Sequence, residues 1–269
     1  MFSTQPVLFV PHGAPTFALR PGAAGAALTA AARALARPRA IVIVSAHWDT
    51  ATPTVGFADR PDTIHDFWGF SEALYALHYP ATGCREAAQE VVAAIQAAGL
   101  PVQTDPQRGL DHGAWVPLRL MFPDADVPVI PLSIQSRGGP VTAWRLGQAL
   151  APLATQGFLI IASGNVTHNL GDVQIACRHG GQTPAYVREF SDWIAARLAA
   201  RDLPALLNYR QQAPGAVRAH PTDEHLLPLF VALGASGNPA QIERFHAGID
   251  DYVLAMDAYA FLLGDGGYA

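Results

Sequence analysis

The chain has 269 residues, 50% of them apolar, which is enough for the core of one α/β domain of ordinary size. The formal net charge of −5 and the lack of any Lys/Arg run argue against a nucleic-acid-binding surface. No apolar stretch reaches the ~20 residues that a membrane span requires.

The N-terminal sequence has neither the basic region nor the cleavage site of a secretory leader, so we expect a cytoplasmic protein. The two cysteines form no CxxC pair, which agrees with a reducing compartment. We therefore expect small molecules as partners, with no nucleic acid and no membrane, and a monomer or a small homo-oligomer.

Apolar runs and helical periodicities alternate along the chain. In order, they predict a strand at 7–10, a helix at 23–36, a strand at 41–44, a helix at 84–98, strands at 102–104 and 127–134, a helix at 144–153, a strand at 158–162, and helices at 186–201 and from 222 or 223 to 233. Pro128 and Pro131 give the 127–134 strand an edge-like character, because proline cannot donate to a ladder. With no linker or repeat, we predict a single α/β domain spanning 1–269, with a central mixed, mostly parallel sheet flanked by helices.

Three of the predicted strands are followed by a histidine within a few residues of their end. Each strand is an apolar run without polar alternation, as expected for strands buried on both faces. The histidines are His12, His47 and His168. Because an open α/β sheet usually binds ligands at the carboxyl ends of its strands, this pattern predicts a metal site at that edge.

Two further histidines have sequence contexts that suit such a site. His225 falls in the first turn of a predicted helix, where the helix dipole favours a neutral imidazole; the alternative is a solvated first-turn residue. His112 lies between an acid and a glycine, which allows a close approach to a ligand. The alternative for His112 is a turn residue whose ring binds Asp111.

Residues 51–70 show no helical period and end in an aromatic-rich segment that looks like a loop folded over a site. His65, Phe67 and Trp68 of this segment, together with Trp48, are candidates for the walls of a substrate pocket. Trp115 is expected to pack in the core. His220 precedes a proline and is expected in a loop near the site, without direct contact with a metal.

A cluster of neutral imidazoles suits Fe(II), Zn(II) or Mn(II) and leaves coordination positions open for chemistry. No cysteine is placed to form a closed structural zinc site. Serine-type catalysis is disfavoured, because Ser45 and Ser163 lack the G-x-S-x-G elbow.

The chain resembles the class III extradiol ring-cleavage dioxygenases, in particular the LigB-like branch that includes the DOPA 4,5-dioxygenases. The resemblance rests on short segments that occur in the family's order over nearly the whole chain. They are PHGAP at 11–15, SAHW at 45–48, IHDF at 64–67, LHYP at 77–80, DHGAW at 111–115, SGNVTHN at 163–169 and PTDEH at 221–225. The chain has Ala14 where relatives often have serine.

The resemblance implies that His12, His47 and His225 bind the metal. It also implies that His168 is the acid/base residue, close to the metal, and that His112 is the second catalytic histidine. The broader class uses a glutamate as third ligand, so Glu224 remains an alternative to the adjacent histidine.

The implied reaction is the insertion of both atoms of O2 into a catechol, DOPA-like or other, at a mononuclear Fe(II) site to give a ring-opened semialdehyde. Zn(II) is able to occupy such a site in purified protein. The main competing hypothesis is a zinc hydrolase that uses the same histidines and a metal-bound hydroxide. A non-catalytic binding protein is disfavoured, because His112 and His168 would then have no reason to converge on the metal.

Overall fold

A central eight-stranded sheet organises the computed structural model, which describes residues 4–178 and 181–264. The strands are β1 (Val7–Pro11), β2 (Ala40–Asp49), β3 (Thr54–Gly56), β4 (Gln103–Asp105), β5 (Val129–Ile134), β6 (Phe158–Gly164), β7 (Gln241–His246), β8 (Ile249–Asp250), β9 (Leu254–Ala255) and β10 (Ala258–Leu262). The strand order in the sheet is β4-β3-β5-β2-β6-β1-β10-β7, and β8 pairs with β9 in a separate ribbon.

The pairs β3–β4, β5–β2, β2–β6 and β6–β1 are parallel, whereas β3–β5, β1–β10 and β10–β7 are antiparallel. The central strands are buried along their whole length, because helices cover both faces of the sheet. This architecture confirms the predicted α/β fold with a mixed, mostly parallel sheet.

The helices form two layers, one on each face of the sheet. They are α1 (Gly22–Ala34), α2 (Glu72–Tyr75), α3 (Arg85–Ala97), α4 (His112–Met121), α5 (Gly139–Ala154), α6 (Leu170–Arg178), α7 (Ala185–Ala199), α8 (Leu203–Leu207), α9 (Tyr209–Gln212), α10 (Ala216–Ala219) and α11 (Leu227–Ala235). Helices α3, α5, α7 and α11 share one apolar core with one face of the sheet, and α1 and α4 share a second core with the other face. No helix within the described ranges is long and apolar enough to cross a membrane.

Two sequence predictions about individual elements are wrong. Strand β5 is not an edge strand, since β2 pairs with it on one side and β3 on the other; the prolines are tolerated because a single residue pair, Val55 with Leu132, bridges β5 to β3. The last predicted helix begins at Leu227 rather than near residue 222. Asp223 does not cap it, because its carboxylate binds the Tyr209 hydroxyl and the Arg210 guanidinium.

Several elements were not predicted, among them α4, β7 and β10. Helix α4 begins at a His-Gly pair and contains Pro117, which hides its helical signal. Strands β7 and β10 are short, and β7 lies at the sheet edge with alternate residues exposed.

Two glycines allow α5 and α11 to pack closely, and this contact yields a stability prediction. A Cβ atom built on Gly234 would lie 2.0 Å from the Trp144 carbonyl oxygen, and one on Gly147 would lie 2.1 Å from the Val231 carbonyl oxygen. We expect Gly234→Ala to lower the free energy of unfolding by about 2 kcal/mol, because backbone atoms cannot yield as a side chain would. Urea denaturation measures this, with Gly171→Ala in exposed helix α6 as the control that should unfold like the wild type. Equal midpoints for the two variants would contradict the prediction.

Candidate metal centre

Three histidine rings converge at the carboxyl-end edge of the sheet. His12 directly follows β1, His47 lies near the end of β2, and His225 lies in the turn before α11. The Nε2 atom of His47 is 3.2 Å from Nε2 of His12 and 3.2 Å from Nε2 of His225. His12 and His225 are buried, and His47 is partly buried. Histidines that are far apart in the chain thus bring their Nε2 atoms together around His47.

The proton on the His12 ring is located by its neighbour Ser163. The Ser163 hydroxyl donates its single hydrogen to the Gly113 carbonyl oxygen, and His12 Nδ1 lies 3.0 Å from the same hydroxyl oxygen. Since that oxygen has no second hydrogen to give, it accepts one from Nδ1. The Nε2 atom of His12 therefore carries a free lone pair.

Carboxylates locate the protons on the other two rings. His47 Nδ1 lies 3.2 Å from an Asp66 oxygen, and His225 Nδ1 lies 3.1 Å from Glu224 Oε1. A carboxylate only accepts, so each Nδ1 carries a hydrogen, and in the neutral form of each ring Nε2 is the unprotonated nitrogen. Glu224 thus contacts the ring nitrogen that lies away from the cluster.

The donor set fits a metal ion. The Nε2 atom of His47 lies against those of His12 and His225, and with the ring hydrogens on Nδ1 no hydrogen joins these nitrogens, which is repulsive unless a cation lies between them. Imidazole nitrogens bind a metal such as Zn(II) at about 2.0–2.1 Å, which at octahedral or tetrahedral angles gives nitrogen separations of roughly 2.8–3.4 Å, and the observed 3.2 Å falls in this range. Burial, followed by the neighbouring histidines, lowers the pKa of both His12 and His225 well below the usual value, so both rings are neutral and ready to ligate.

A fourth imidazole, that of His112, borders the cluster at the start of α4. Its ring centroid is 4.0 Å from that of His47 and 5.5 Å from that of His12. Its backbone N–H and its Nδ1–H both donate to Asp66 Oδ1, at 2.8 and 2.9 Å. Burial lowers the pKa of His112, and the bond to Asp66 opposes this in part. Asp111 does not bind the ring, as the sequence had allowed; it caps α4 by accepting from the Ala114 N–H.

Asp66 itself was not singled out from the sequence. Burial disfavours its charge, but hydrogen bonds from His112 and His47 outweigh burial and hold the pKa of this carboxyl well below its usual value. It is therefore an ionised acceptor shared by two imidazoles.

The His168 ring lies flat against that of His225, with centroids 3.4 Å apart and an interplanar angle of 5°. Its backbone N–H donates to the Ala219 carbonyl oxygen, which fixes the chain beyond β6. Burial, followed by the charge of His220, lowers the pKa of His168 to about 3. Its imidazole is thus a neutral base beside the cluster.

His220 was expected in a loop near the site, and it follows α10 there as a fully buried residue. Its Nε2–H donates to the Val166 carbonyl oxygen at 2.7 Å, and burial lowers the pKa of the ring to about 4. The ring supports the strand-to-His168 turn and does not face the three Nε2 atoms at hydrogen-bond distance.

Of the four candidate pocket residues, Phe67 and His65 lie near the cluster. The Phe67 ring is 8% exposed and meets the His112 ring edge-on at 5.7 Å. His65 lies 5.6 Å from Phe67, and its Nε2–H donates to the Leu77 carbonyl oxygen.

The three tryptophans considered occupy different environments. Trp48 is buried beneath the Arg108 guanidinium, 4.8 Å from its ring, and within the described residues it makes no ring contact with the clustered histidines. Trp68 is 86% exposed at the loop surface. Trp115 is fully buried and donates to the Ile64 carbonyl oxygen, as expected for a core residue.

Comparison with known proteins identifies the family of the chain. Residues 23–254 match the family model described as the catalytic LigB subunit of aromatic ring-opening dioxygenase. A protein of Beta vulgaris named 4,5-DOPA dioxygenase extradiol is 41% identical over 226 residues, which cover 84% of this chain and 83% of that protein. A protein of the same name from Escherichia coli K12 is 40% identical over 262 residues, covering 95% of this chain and 94% of that protein.

A crystal structure of an uncharacterized Escherichia coli K12 protein has the same fold. It superposes with a TM-score of 0.78 at 32% identity and covers 97% of this chain and 100% of its own. The family match includes His47 and His225 and begins after His12. The chain therefore belongs to the LigB family of aromatic ring-opening dioxygenases and is an oxygen-incorporating enzyme of the extradiol class.

Proposed function

We propose that the protein inserts both atoms of O2 into the ring of a catechol, with a DOPA-like catechol as the first candidate, and forms a ring-opened semialdehyde at one Fe(II). His12, His47 and His225 are the proposed ligands. The observation that carries the proposal is the position of His47 Nε2, which lies 3.2 Å from His12 Nε2 and 3.2 Å from His225 Nε2. Two relatives at about 40% identity carry the name 4,5-DOPA dioxygenase extradiol, which supports the choice of substrate class.

Bound Fe(II) would supply the reactivity toward dioxygen that amino-acid side chains lack. His168 is the proposed base, because its neutral ring lies against His225 at the edge of the cluster, where a catechol hydroxyl would release its proton. His112 is the proposed second acid/base group. Its Nδ1–H is held by Asp66, so its Nε2 is the atom that takes up and returns a proton.

The pocket walls follow from the same geometry. Phe67 is the proposed ring contact for the substrate, since its edge borders His112. His65 is proposed to line the pocket behind Phe67. Its Nε2–H donates to the Leu77 carbonyl oxygen, and its Nδ1 takes no part in that bond. Trp68 would contact a substrate at the entrance, and Trp48 would act on the pocket through the side chain of Arg108.

The test is anaerobic loading of the apoprotein with Fe(II), followed by DOPA or a simple catechol in air. We expect a visible absorbance from the semialdehyde and one O2 consumed per product. The Zn(II)-loaded protein is the matched control and should form no product. Absence of oxygen uptake across a panel of catechols, with ester or amide hydrolysis by the zinc form, would favour the zinc hydrolase instead.

The choice between Glu224 and His225 as third ligand gives a further prediction. We expect His225→Ala to abolish tight metal binding, and Glu224→Gln to weaken it only about 10- to 100-fold, because Glu224 contacts Nδ1 and orients the ring. Competition titration with a chelator measures both affinities. The reverse order of effects would identify Glu224 as the ligand.

A further inference from the structure

The Asp66 carboxylate joins two imidazoles to which the proposed function gives different tasks. Oδ1 accepts from the backbone N–H and from Nδ1 of His112, and the other oxygen lies 3.2 Å from His47 Nδ1. We propose that Asp66 is a positioning residue that fixes the proton of His47 on Nδ1 and orients His112, so that one side chain prepares both the metal ligand and the acid/base group. This inference rests on the proposed metal site.

The proton position matters because an imidazole ligates only through an unprotonated nitrogen. With its hydrogen on Nδ1, His47 presents a lone pair at Nε2, between those of His12 and His225. In the other tautomer a hydrogen on Nε2 would occupy the point where the three nitrogens meet. No other side-chain acceptor within hydrogen-bond distance of His47 Nδ1 lies in the described part of the chain. Asp66 therefore decides which tautomer is present.

Asp66 also lies on the loop that borders the site. It is flanked by His65 and by Phe67, whose ring contacts both His112 and Tyr75. A displacement of this loop removes the acceptor from both imidazoles together. The position of the loop and the readiness of the metal site are thus linked through one carboxylate.

The replacement of Asp66 by asparagine separates the two effects. If the amide oxygen of the new side chain faces His112, it accepts from both the backbone N–H and Nδ1–H of that residue; if it faces His47, it accepts only one hydrogen bond. The oxygen should therefore face His112. The NH2 group then points at His47 Nδ1. Two donors cannot bond, so His47 must move its hydrogen to Nε2 and lose its free lone pair there.

We would compare wild type, Asp66→Asn and Asp62→Asn by titrating each apoprotein with Co(II) and Zn(II) against a chelator. Asp62 is an exposed carboxylate on the same loop, so its variant controls for the charge change. We expect Asp66→Asn to bind either metal about 10- to 100-fold more weakly, and Asp62→Asn to bind like the wild type. Unchanged affinity in a folded Asp66→Asn protein would overturn the proposal.

A second measurement detects the tautomer of His47 directly. Two-bond ¹H–¹⁵N NMR spectra of the wild-type apoprotein report which nitrogen of His47 carries the hydrogen. We expect Nδ1–H in the wild type and Nε2–H in Asp66→Asn, and Nε2–H in the wild type would overturn the proposal. If the wild type bound neither metal, the proposed metal site would fail, while the NMR result would still decide the role of Asp66.

Discussion

Replacement of His168 by alanine should leave the metal bound and lower the turnover of a catechol by about 10²- to 10⁴-fold, the range typical of a lost general base. The imidazole lies flat against the His225 ring, and it is not one of the three rings whose Nε2 atoms lie within 3.2 Å of a neighbouring Nε2. None of the described side chains hydrogen-bonds to its ring nitrogens, so the unprotonated nitrogen of the neutral ring is free to accept a substrate proton. The three Nε2 atoms that would hold the metal are all retained in the variant.

The measurement is steady-state oxygen uptake by Fe(II)-loaded protein, together with the metal content after desalting. His246→Ala, on edge strand β7, is the matched control and should turn over like the wild type. Loss of metal from the His168 variant would show instead that this ring is a ligand. Retention of full turnover would remove His168 from the mechanism.

The parts of the site that follow strands were predictable from sequence because the strand signal is local. An apolar run without polar alternation predicts a buried strand, and its carboxyl end fixes where the next residue lies. His12 and His47 were therefore placed correctly at the carboxyl ends of their strands. The prediction that β5 is an edge strand was wrong, because the order of strands in a sheet depends on pairing between distant segments of the chain. The proline content of a strand does not report that pairing.

The groups that orient the histidines were harder to predict, because most of them are remote in sequence. Asp66 binds a ring 46 positions away, and Ser163 binds one 151 positions away. Only Glu224 lies next to the histidine that it contacts. The sequence offered a local acid for His112 in Asp111, but the tertiary structure uses that acid as a helix cap. Donor–acceptor pairing inside a site is thus decided by packing, after the strands have placed the rings.

Replacement of His12 by alanine should abolish the stabilisation that metal gives to the fold. In the wild type, a metal that binds the native state alone adds roughly 4 kcal/mol when its concentration is 1,000 times the Kd. For a chain of this size that corresponds to a rise in Tm of about 8 °C. The His12 variant lacks one of the three facing nitrogens, and we expect its affinity to fall by well over the roughly 100-fold that the loss of an orienting partner causes.

A graded series makes the His12 prediction specific. Ser163→Ala removes the acceptor at His12 Nδ1 but keeps the ring, so its metal-induced rise in Tm should lie between those of wild type and His12→Ala. In metal-free buffer the comparison is between the Tm values of His12→Ala and wild type. His12→Ala relieves the opposition of the Nε2 lone pairs, but it leaves a cavity and removes the donor to the Ser163 hydroxyl oxygen. Any gain in Tm over the metal-free wild type should therefore be smaller than the rise that metal gives. Thermal denaturation of the three proteins with and without Zn(II) measures both effects. An equal metal-induced shift in all three would mean that the stabilising ion binds elsewhere on the chain.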